Sequence, residues 1–435
     1  MEKDLARLQQ LVKDTWAKLP PDEKAKLELK MQAAHAHLLA ARSKTLAPGV
    51  RPPHREVLAL RRVLHEDIAT LSAPAPRGVL TTVLPDGEIL DGGVDYDSTD
   101  PWWAYCFVAY YWTEGMTPPF QVGKATSIPD NVTLAILGDW GGANPPALAI
   151  AKAQQTTSYI IHLGDVYYAG TNEGEHTYPM EVTNFLSAWP GVVGRSFALN
   201  SNHDMYAHAT GYSLTTLRNK IFQTQGGNCF ALYNKAFRIV CLDSAYYAPD
   251  PAFDGYMKGY LGDAGGGQMK FLLGQISQLT SGQRLILLTH HNALTIDGSI
   301  PGQSDDEYLL WQQVTQALQQ LPAGANQNVL WYWGHVHVGA VYKSQTVGKV
   351  TISPRCCGHG CIPWGIPTDL QPANGPPPPY APNVLWFEQT LIPQEGSNYF
   401  VTNGYATLTL NGSSLTEAFW NQNGNQSWSG SLPAA

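Results

Sequence analysis

Two short apolar runs, each ending in a Gly-Asp pair, most constrain the fold of this chain. Residues 134–137 and 159–163 have the length and continuous hydrophobicity of buried parallel strands. Between them, Pro145 and Pro146 precede an alanine-rich stretch, which is typical of a helix with proline in its first turn. A right-handed strand–helix–strand unit would bring Asp139 and Asp165 to one sheet edge. The sequence therefore predicts an α/β fold with acidic residues at the strand ends.

Five motifs, in one order along the chain, contain the side chains that a pair of metal ions needs. They are Gly-Asp-Trp-Gly at 138–141, Gly-Asp-Val-Tyr-Tyr at 164–168, Ser-Asn-His-Asp at 201–204, Leu-Leu-Thr-His at 287–290 and Gly-His-Val-His at 334–337. Each motif alone is weak, because Gly-Asp pairs are common in turns. Four of them follow apolar runs, and open α/β sheets bind ligands at such strand ends. The alternative is that the aspartates only cap turns or helices.

The order and residue types of these motifs resemble those of the calcineurin-like metallophosphoesterases, and within them the purple acid phosphatases. Most members of the superfamily have Asp-x-His in the first motif, whereas this chain has Asp139-Trp140-Gly141. Purple acid phosphatases have Gly-Asp-x-Gly there and supply the missing ligand as the tyrosine of Gly-Asp-x-x-Tyr, where Tyr168 stands. The resemblance covers residues 131–361. It implies a two-sheet α/β sandwich flanked by helices, preceded here by an N-terminal helical extension.

The resemblance also implies two metal ions. The first metal would be held by Asp139, Tyr168 and His337, the second by Asn202, His290 and His335, and Asp165 would bridge both. A phenolate favours Fe(III), and the second site suits Zn(II), Mn(II) or Fe(II). Tyr168 therefore predicts a coloured iron site. Its neighbour Tyr167 is one residue off the pattern, and we interpret it as an aromatic that packs beside the centre.

The activity implied by the resemblance is hydrolysis of phosphate monoesters. A hydroxide bridging the metals would attack phosphorus, and His203 would give the leaving group its proton. Asp204 would hold the other ring nitrogen of His203. His291, beside the expected ligand His290, either supports that ligand or faces the substrate. The alternative for His203 is a buried histidine without a catalytic task.

Three further features bear on this interpretation. Ser201 stands where the family has glycine, which is tolerable if its backbone is not left-handed. Residues 292–298 lack the further histidine that purple acid phosphatases tend to have, which puts phosphate contacts on that side in doubt. His176 and His208 are the other histidines near enough in sequence to be considered for the site.

The composition of the chain limits the kinds of binding partner that we expect. The chain has 435 residues, 44% hydrophobic content and a formal net charge of −8. No basic run is visible that could neutralise many phosphates, which argues against nucleic acid. A small phosphorylated substrate fits better. No apolar stretch approaches the roughly 20 residues that span a bilayer. No secretory signal is visible, so we expect a cytoplasmic protein, or a secreted one if a leader has been trimmed.

We expect three regions along the chain. Residues 1–75 form a helical extension, which packs on its own chain or mediates oligomerisation. Residues 76–130 form an aromatic-rich connecting region of β or irregular structure, with a hairpin around Asp86-Gly87. Residues 131–435 form the catalytic domain, with a proline-rich loop at 367–382 and strands at its end.

The sequence leaves open the role of the cysteine cluster and two alternative functions. Cys356, Cys357 and Cys361 cluster around His359, and we interpret this segment as a loop at the active site, with a disulfide or a third metal as alternatives. One alternative function is a phosphodiesterase acting on cyclic nucleotides or lipid head groups. The other is a non-catalytic scaffold whose working part is the helical extension.

Overall fold

The structure, a computed structural model, describes most of the chain. The described residues are 2–42, 54–72, 81–83, 89–91, 96, 100–154, 157–174, 178–249, 256–362, 370, 380–393 and 399–432. Within them the helices are α1 Glu2–Lys18, α2 Pro21–Arg42, α3 Arg55–His65, α4 Ile68–Ser72, α5 Tyr105–Trp112, α6 Pro145–Ala153, α7 Asn202–Met205, α8 Gly267–Ser277 and α9 Tyr308–Leu318. A 3₁₀ turn, Pro101–Ala104, precedes α5, and Glu181–Leu186 and Tyr212–Thr216 are π-helical.

The strands of the described residues form two large sheets and two small hairpins. They are β1 Thr81–Val83, β2 Ile89–Asp91, β3 Val122–Ser127, β4 Asn131–Leu137, β5 Tyr159–His162, β6 Ser196–Ala198, β7 Cys229–Tyr233, β8 Phe237–Leu242, β9 Arg284–Thr289, β10 Asn328–Trp333, β11 Gly339–Tyr342, β12 Gln345–Val347, β13 Val350–Cys357, β14 Val384–Phe387, β15 Leu391–Pro393, β16 Tyr399–Val401, β17 Gly404–Asn411, β18 Ser414–Asn421 and β19 Gln426–Leu432.

Both large sheets have parallel strands at their centre. The first has the order β19-β18-β17-β4-β5-β6, in which β4, β5 and β6 are parallel. The second has the order β14-β11-β13-β10-β9-β8-β7-β3, in which β8, β9, β10 and β13 are parallel, and β12 pairs with β13. The carboxyl ends of β4, β5, β6, β9 and β10 lead directly into the five motifs.

The two sheets pack face to face, and side-chain alternation along the strands explains why. Leu134 and Ile136 of β4 belong to a buried cluster that also contains Ile286 and Leu288 of β9. Residues of the same strands that alternate with them, such as Leu287, face helices α8 and α9 on the opposite side of the sheet. Such strands are buried on both faces, which is why they appear in the sequence as continuous apolar runs. The predicted two-sheet α/β sandwich is confirmed.

Helix α6 crosses between β4 and β5, as predicted. Its N-cap is Asn144, whose side chain accepts a hydrogen bond from the Ala147 amide at 3.2 Å. Pro145 and Pro146 occupy the first turn, where the missing amide protons cost nothing. The side-chain amide of Asn144 donates to the carbonyl of Cys361 at 2.8 Å, so the cap also ties the helix to the loop after β13.

The N-terminal helices pack against the same side of the molecule as α6. Leu8 and Val12 of α1, Leu60 and Val63 of α3 and Phe107 of α5 belong to one buried cluster. The apolar residues from Val57 to Leu71 are divided between α3 and α4. An extension packed on its own chain therefore accounts for these apolar faces.

The connecting region is more helical than expected. The hairpin is present, since Val83 pairs with Ile89. The aromatic segment that follows forms the 3₁₀ turn and α5, although we expected β or irregular structure there. Asp100 begins this helical stretch, because its side chain accepts a hydrogen bond from the Trp102 amide at 2.9 Å and Pro101 follows it. The run of residues 103–109 is buried throughout, so it carries no periodicity that sequence reasoning could detect.

The end of the chain completes the first sheet. Strand β17 pairs with β4, and β18 and β19 extend the sheet beyond it, as the sequence predicted. Most of the proline-rich loop 367–382 lies outside the described residues. No helix among the described residues is long and apolar enough to cross a membrane.

Candidate metal centre

The candidate centre lies where parallel strands of both sheets end. Backbone hydrogen bonds join the motif loops: the Asp139 amide donates to the Gly164 carbonyl at 3.0 Å, and the Gly334 amide donates to the His290 carbonyl at 2.9 Å. The His335 amide donates to Oδ2 of Asp139 at 2.8 Å, which connects the loops of the two sheets. Residues that are distant in sequence are thus held together by main-chain contacts as well as by side chains.

Three of the predicted ligands have a left-handed backbone. The φ angles are +56° at Asp139, +77° at Asp165 and +66° at His335. Residues with a Cβ rarely adopt this region, and the strain persists only where the surroundings hold it, most often at functional sites. Gly334 is required by close approach, since a Cβ there would lie 2.5 Å from Oδ2 of Asp139. The backbone of these loops is therefore strained, and the strained conformation sets the direction of the side chains.

A first group of donors surrounds the hydroxyl of Tyr167. The ligand atoms of Asp139, Asp165 and His337 lie within 4.8 Å of one another. The Tyr167 hydroxyl donates to Oδ2 of Asp165 at 2.6 Å and lies 3.4 Å from Oδ1 of Asp139. It is also 3.1 Å from Nε2 of His337. Two carboxylates, a phenol and an imidazole therefore converge on one volume.

A second group lies beside the first and shares Asp165. Oδ1 of Asn202 is 2.7 Å from Nε2 of His290 and 3.2 Å from Nδ1 of His335. Nδ1 of His290 lies 3.1 Å from the Leu163 carbonyl, a contact that leaves Nε2 as the nitrogen facing the group. Nε2 of His290 is 3.4 Å from Oδ1 of Asp165. The position of Asp165 between both groups is that expected of a bridging carboxylate.

The structure places the two neighbouring tyrosines differently from the motif assignment. Tyr168, which the motif designates as a ligand, directs its hydroxyl away from the carboxylates and donates it to Asp100. Its ring stacks on Tyr96 at 4.9 Å and meets the edge of Trp103 at 5.0 Å. Tyr167, which we expected only to pack beside the centre, holds the phenol there instead. The physical reason is that the aromatic residues Tyr96 and Trp103 receive the Tyr168 ring.

The acidic groups influence one another strongly. Burial and then the neighbouring Asp165 raise the pKa of Asp139 well above its usual value. Burial alone would raise the pKa of Asp165, but His203 and His290 outweigh it and hold that pKa well below the usual value. Burial, followed by Asp165 and Asp139, raises the pKa of the Tyr167 phenol. The two carboxyls of the pair therefore differ in how readily they hold a proton.

Burial shifts the pKa values of the imidazoles in the opposite direction. Burial lowers the pKa of His290, and it lowers the pKa values of His335 and His337 well below the usual range. Neutral imidazole is the form that binds metals. The histidines are therefore held ready as ligands at neutral pH.

These donors fit the metal pair that the sequence resemblance implies. Oδ1 of Asp165 is buried without a hydrogen-bond partner, which is costly unless a cation satisfies it. Oxygen and imidazole donors of this kind suit Fe, Zn and Mn ions, and a phenol adds a preference for Fe(III). A second cluster that could hold a metal consists of Glu56, Cys106 and His203, all buried.

His203 lies at the edge of the first group and both of its ring nitrogens face protein groups. Nδ1 is 2.6 Å from the Tyr168 carbonyl, to which it donates, and Nε2 is 3.7 Å from Oε1 of Glu56. The ring contacts Tyr167 edge-on at 4.6 Å and lies 5.5 Å from the ring of Trp103. Its tautomer is thus set by a backbone carbonyl.

Asp204 does not hold the ring of His203, contrary to our prediction. Its carboxylate accepts a hydrogen bond from the Ser201 hydroxyl at 2.5 Å and adjoins Glu181. Burial and then Glu181 raise the pKa of Asp204 well above its usual value. Asp204 points away because α7 begins at Asn202, with Ser201 as its N-cap. The carbonyl of Tyr168 takes the place that we expected for this carboxylate.

His291 does not face a substrate either. Nδ1 lies 2.9 Å from the Ser244 hydroxyl and Nε2 lies 2.7 Å from the Tyr256 carbonyl. Its ring contacts that of His335 at 4.8 Å, so it packs behind a candidate ligand. Burial and then His290 lower the pKa of His291 to about 3. Of the two roles that we considered, support of a ligand is the one that the contacts favour.

The remaining sequence predictions concern Ser201, two further histidines and the cysteines. Ser201 has φ −141°, so the condition for tolerating serine there is met. Nδ1 of His208 lies 2.9 Å from the Thr113 hydroxyl, and His176 lies outside the described residues. All six cysteines are free and buried, so the structure holds no disulfide at Cys356, Cys357 or Cys361. No metal-binding group forms around His359 within the part of the chain that the structure describes.

Sequence reasoning missed three residues of the centre. Tyr167 lies inside a motif, but at the neighbouring position. Asp100 and Glu56 lie outside every motif, and only the fold brings them to Tyr168 and His203. For Glu56 no distinctive signal was present, because an acidic residue in the first turn of a helix is common.

No protein-family model matches the chain, and no curated protein matches it. Among solved structures it is similar to GAP50, the anchor in the inner membrane complex of Plasmodium, with 13% identity, a TM-score of 0.47 and coverage of 70% of this chain and 89% of that one. It is similar to purple acid phosphatase PPD1 from yellow lupin, Lupinus luteus, with 14% identity, a TM-score of 0.43 and coverage of 70% and 54%. It is also similar to PhoD, with 11% identity, a TM-score of 0.43 and coverage of 71% and 73%. The matched part is about half the length of the lupin protein.

At these identities and TM-scores, the similarities establish neither a ligand nor an activity for this chain. The fold stands on its own topology: two sheets pack face to face, and loops from the parallel strands of both meet at one edge. This chain has a two-sheet α/β sandwich fold, with the motif loops of both sheets at one edge.

Proposed function

We propose that the protein is a hydrolase of phosphate monoesters that works with two metal ions. The observation that carries the proposal is the buried convergence of carboxylate, phenol, amide and imidazole donors on Asp165. Burying like-charged carboxylates together is unfavourable without cations, and the left-handed backbone at Asp139 and Asp165 adds to the cost. A set of residues maintained against both costs is better explained by function than by stability.

We assign seven residues to the metals. One ion would be held by Asp139, Tyr167 and His337, the other by Asn202, His290 and His335, with Asp165 between them. When bound, such a pair supplies an activated water and neutralises charge on the phosphate oxygens. The Tyr167 phenol supports Fe(III) for one ion, and Zn(II), Mn(II) or Fe(II) suits the other set.

The protein's own contribution to the reaction includes proton transfer by His203. Because Nδ1 donates to the Tyr168 carbonyl, a proton for the leaving group would come from Nε2. The imidazole is buried among the rings of Trp103 and Tyr167, which limits the orientations available to it. A fixed, desolvated donor of this kind typically contributes about 10²–10⁴-fold to a rate.

The test compares kcat/KM for 4-nitrophenyl phosphate with that for bis(4-nitrophenyl) phosphate on metal-loaded protein. Asp165→Asn serves as the blank, because it removes the shared carboxylate while keeping the side chain's size. We expect a clear preference for the monoester and a loss of both metals in the variant. Metal content is measured by mass spectrometry on the same samples.

Other outcomes point to the two alternatives. A preference for the diester would replace the proposal by a phosphodiesterase with the same metal assignment. Hydrolysis no faster than that of Asp165→Asn with either substrate would refute the enzyme and direct attention to a scaffold built on the helical extension.

A further inference from the structure

The N-terminal extension reaches the proposed proton donor through Glu56. This residue lies in the first turn of α3 and is 7% exposed. Its Oε1 lies 3.7 Å from Nε2 of His203. A buried carboxylate is costly unless it is paired. Among the described residues, the ion-pair partner that the structure gives Glu56 is His203.

The separation of these two groups leaves His203 able to act. When His203 carries a proton on both ring nitrogens, Nε2 and the carboxylate oxygen attract each other at 3.7 Å, but the distance exceeds that of a hydrogen bond. Nε2 therefore stays free to donate to a third acceptor. The Tyr168 carbonyl holds Nδ1 on the other side of the ring at 2.6 Å. The imidazole thus has one hydrogen-bond acceptor, the Tyr168 carbonyl, and one carboxylate neighbour, Glu56, from different parts of the chain.

The helix that carries Glu56 is firmly anchored beside the centre. Val57, Leu60 and Val63 of α3 are buried in the core cluster shared with α5. The guanidinium of Arg55 lies over the ring of Trp103 at 5.4 Å and donates to the Tyr96 carbonyl at 2.9 Å. Through Trp103, the start of α3 adjoins the rings of the proposed centre.

We propose that Glu56 is a positioning residue for the proton donor His203, so that the N-terminal helical extension is part of the catalytic unit. The inference rests on the proposed function. It assigns to the extension a role in proton delivery to the leaving group, which neither oligomerisation nor simple packing would require.

The test uses Glu56→Gln in the full chain, a change that keeps the side chain's size and removes its charge. The matched control is Glu66→Gln, which removes a carboxylate of the same extension that pairs with Arg62 at 3.4 Å. The kcat and KM of both variants are measured for phosphate monoesters whose leaving groups range from 4-nitrophenol to simple alcohols. Thermal unfolding and metal content are recorded alongside.

A positioning role predicts a loss that depends on the leaving group. The 4-nitrophenolate ion leaves without a proton, whereas an alkoxide needs one. For Glu56→Gln we expect kcat to fall about tenfold or more with alkyl phosphates and less than about twofold with 4-nitrophenyl phosphate, with KM little changed. Glu66→Gln should show no such dependence. In a His203→Gln background, Glu56→Gln should cause no further loss.

Three results would overturn the inference. An equal loss for all leaving groups would mean that Glu56 only supports the fold. A loss of bound metal would make Glu56 a ligand, together with Cys106 and His203. Wild-type kinetics in Glu56→Gln would remove its role while leaving the proposed function intact, whereas an inactive wild-type protein would refute the proposed function and this inference with it.

Discussion

The hydroxyl of Tyr167 donates a 2.6 Å hydrogen bond to Oδ2 of Asp165, the carboxylate shared by both groups of the candidate centre. The adjacent Tyr168 turns its hydroxyl to Asp100 instead. Two neighbouring tyrosines thus serve different parts of the molecule, one the proposed metals and the other the aromatic segment before the catalytic region.

Substitution of the two tyrosines separates these roles. Tyr167→Phe removes the phenol from the centre, so we expect protein loaded with Fe(III) to lose the visible absorption of an iron–phenolate bond. Tyr168→Phe should keep the colour and lower the free energy of unfolding by about 1–3 kcal/mol, because Asp100 loses a donor. Visible absorption spectra and urea unfolding give both quantities. Loss of colour in Tyr168→Phe alone would restore the assignment made from the motif.

Gly334→Ala tests the close approach at the start of the fifth motif. The new Cβ would lie 2.5 Å from Oδ2 of Asp139, so the carboxylate or the loop must move. We expect a loss of about 1–3 kcal/mol in stability from this overpacking, together with weaker metal binding. The matched control is Gly324→Ala, whose Cβ would have its nearest atom, the Ser281 hydroxyl oxygen, at 3.6 Å. Metal titration of both variants provides the measurement, and equal affinities would contradict the expectation.

His162 should make the metal-free protein sensitive to acid. It is buried against Phe185 at 4.7 Å, and burial lowers its pKa to about 3 from an ordinary value of 6.5. The unfolded chain takes up a proton below pH 6.5 that the folded protein refuses, so the stability that this group contributes is lost as pH falls from 6.5 towards 3. At pH 5 the loss is about 2 kcal/mol from this residue.

The measurement is urea unfolding of the metal-free protein at pH 7.5 and pH 5. His162→Phe should reduce the loss of stability between these two values, because the buried ring no longer titrates. His65→Gln, at an exposed position, should keep the wild-type difference. If His162→Phe and wild type lose stability equally, His162 is not the source of the acid sensitivity.

The buried pair of Glu181 and Asp204 should have the opposite pH dependence. Burial raises the pKa of Glu181 to about 7 from 4.5, so the folded protein keeps a proton that the unfolded chain releases. The free energy of unfolding contributed by this group therefore falls as pH rises from about 4.5 to 7. Glu181→Gln should gain up to about 3 kcal/mol relative to wild type between pH 5 and pH 8. Urea unfolding of both proteins at the two pH values measures this change, and a constant difference would refute the raised pKa of Glu181.

Part of the candidate site could be predicted from the sequence, and the reason is physical. Asp139, Asp165, His290 and His335 each follow an apolar run, and parallel strands carry whatever follows them to the same edge. Asn202 was found through the resemblance, because β6 before it is only Ser196–Ala198 and carries little signal of its own. Motif order and strand ends together therefore predicted the convergence.

The rest of the site could not be predicted from the sequence, because it depends on contacts between segments that are distant along the chain. Nothing near Tyr168 in sequence indicates that Asp100 accepts its hydroxyl, and nothing near His203 points to Glu56. Asp204 follows His203 directly, yet the N-cap at Ser201 turns its carboxylate towards Glu181. Helix α5 was missed because a segment buried on all sides shows no periodicity. In each case tertiary packing determines the contact or the conformation, and the local sequence pattern does not indicate it.

The pairing of β17 with β4 has a consequence for how the protein is made. Ala406 lies opposite Ile136, three residues before Asp139, so the strand that supports the first motif gains one of its neighbours only after a segment about 270 residues further along has been synthesised. Pairings between such distant segments form slowly, because a long loop must close first. A nascent chain on the ribosome would therefore carry all five motifs before β4 could pair with β17, so the first motif would gain this support only after residues 404–411 had emerged.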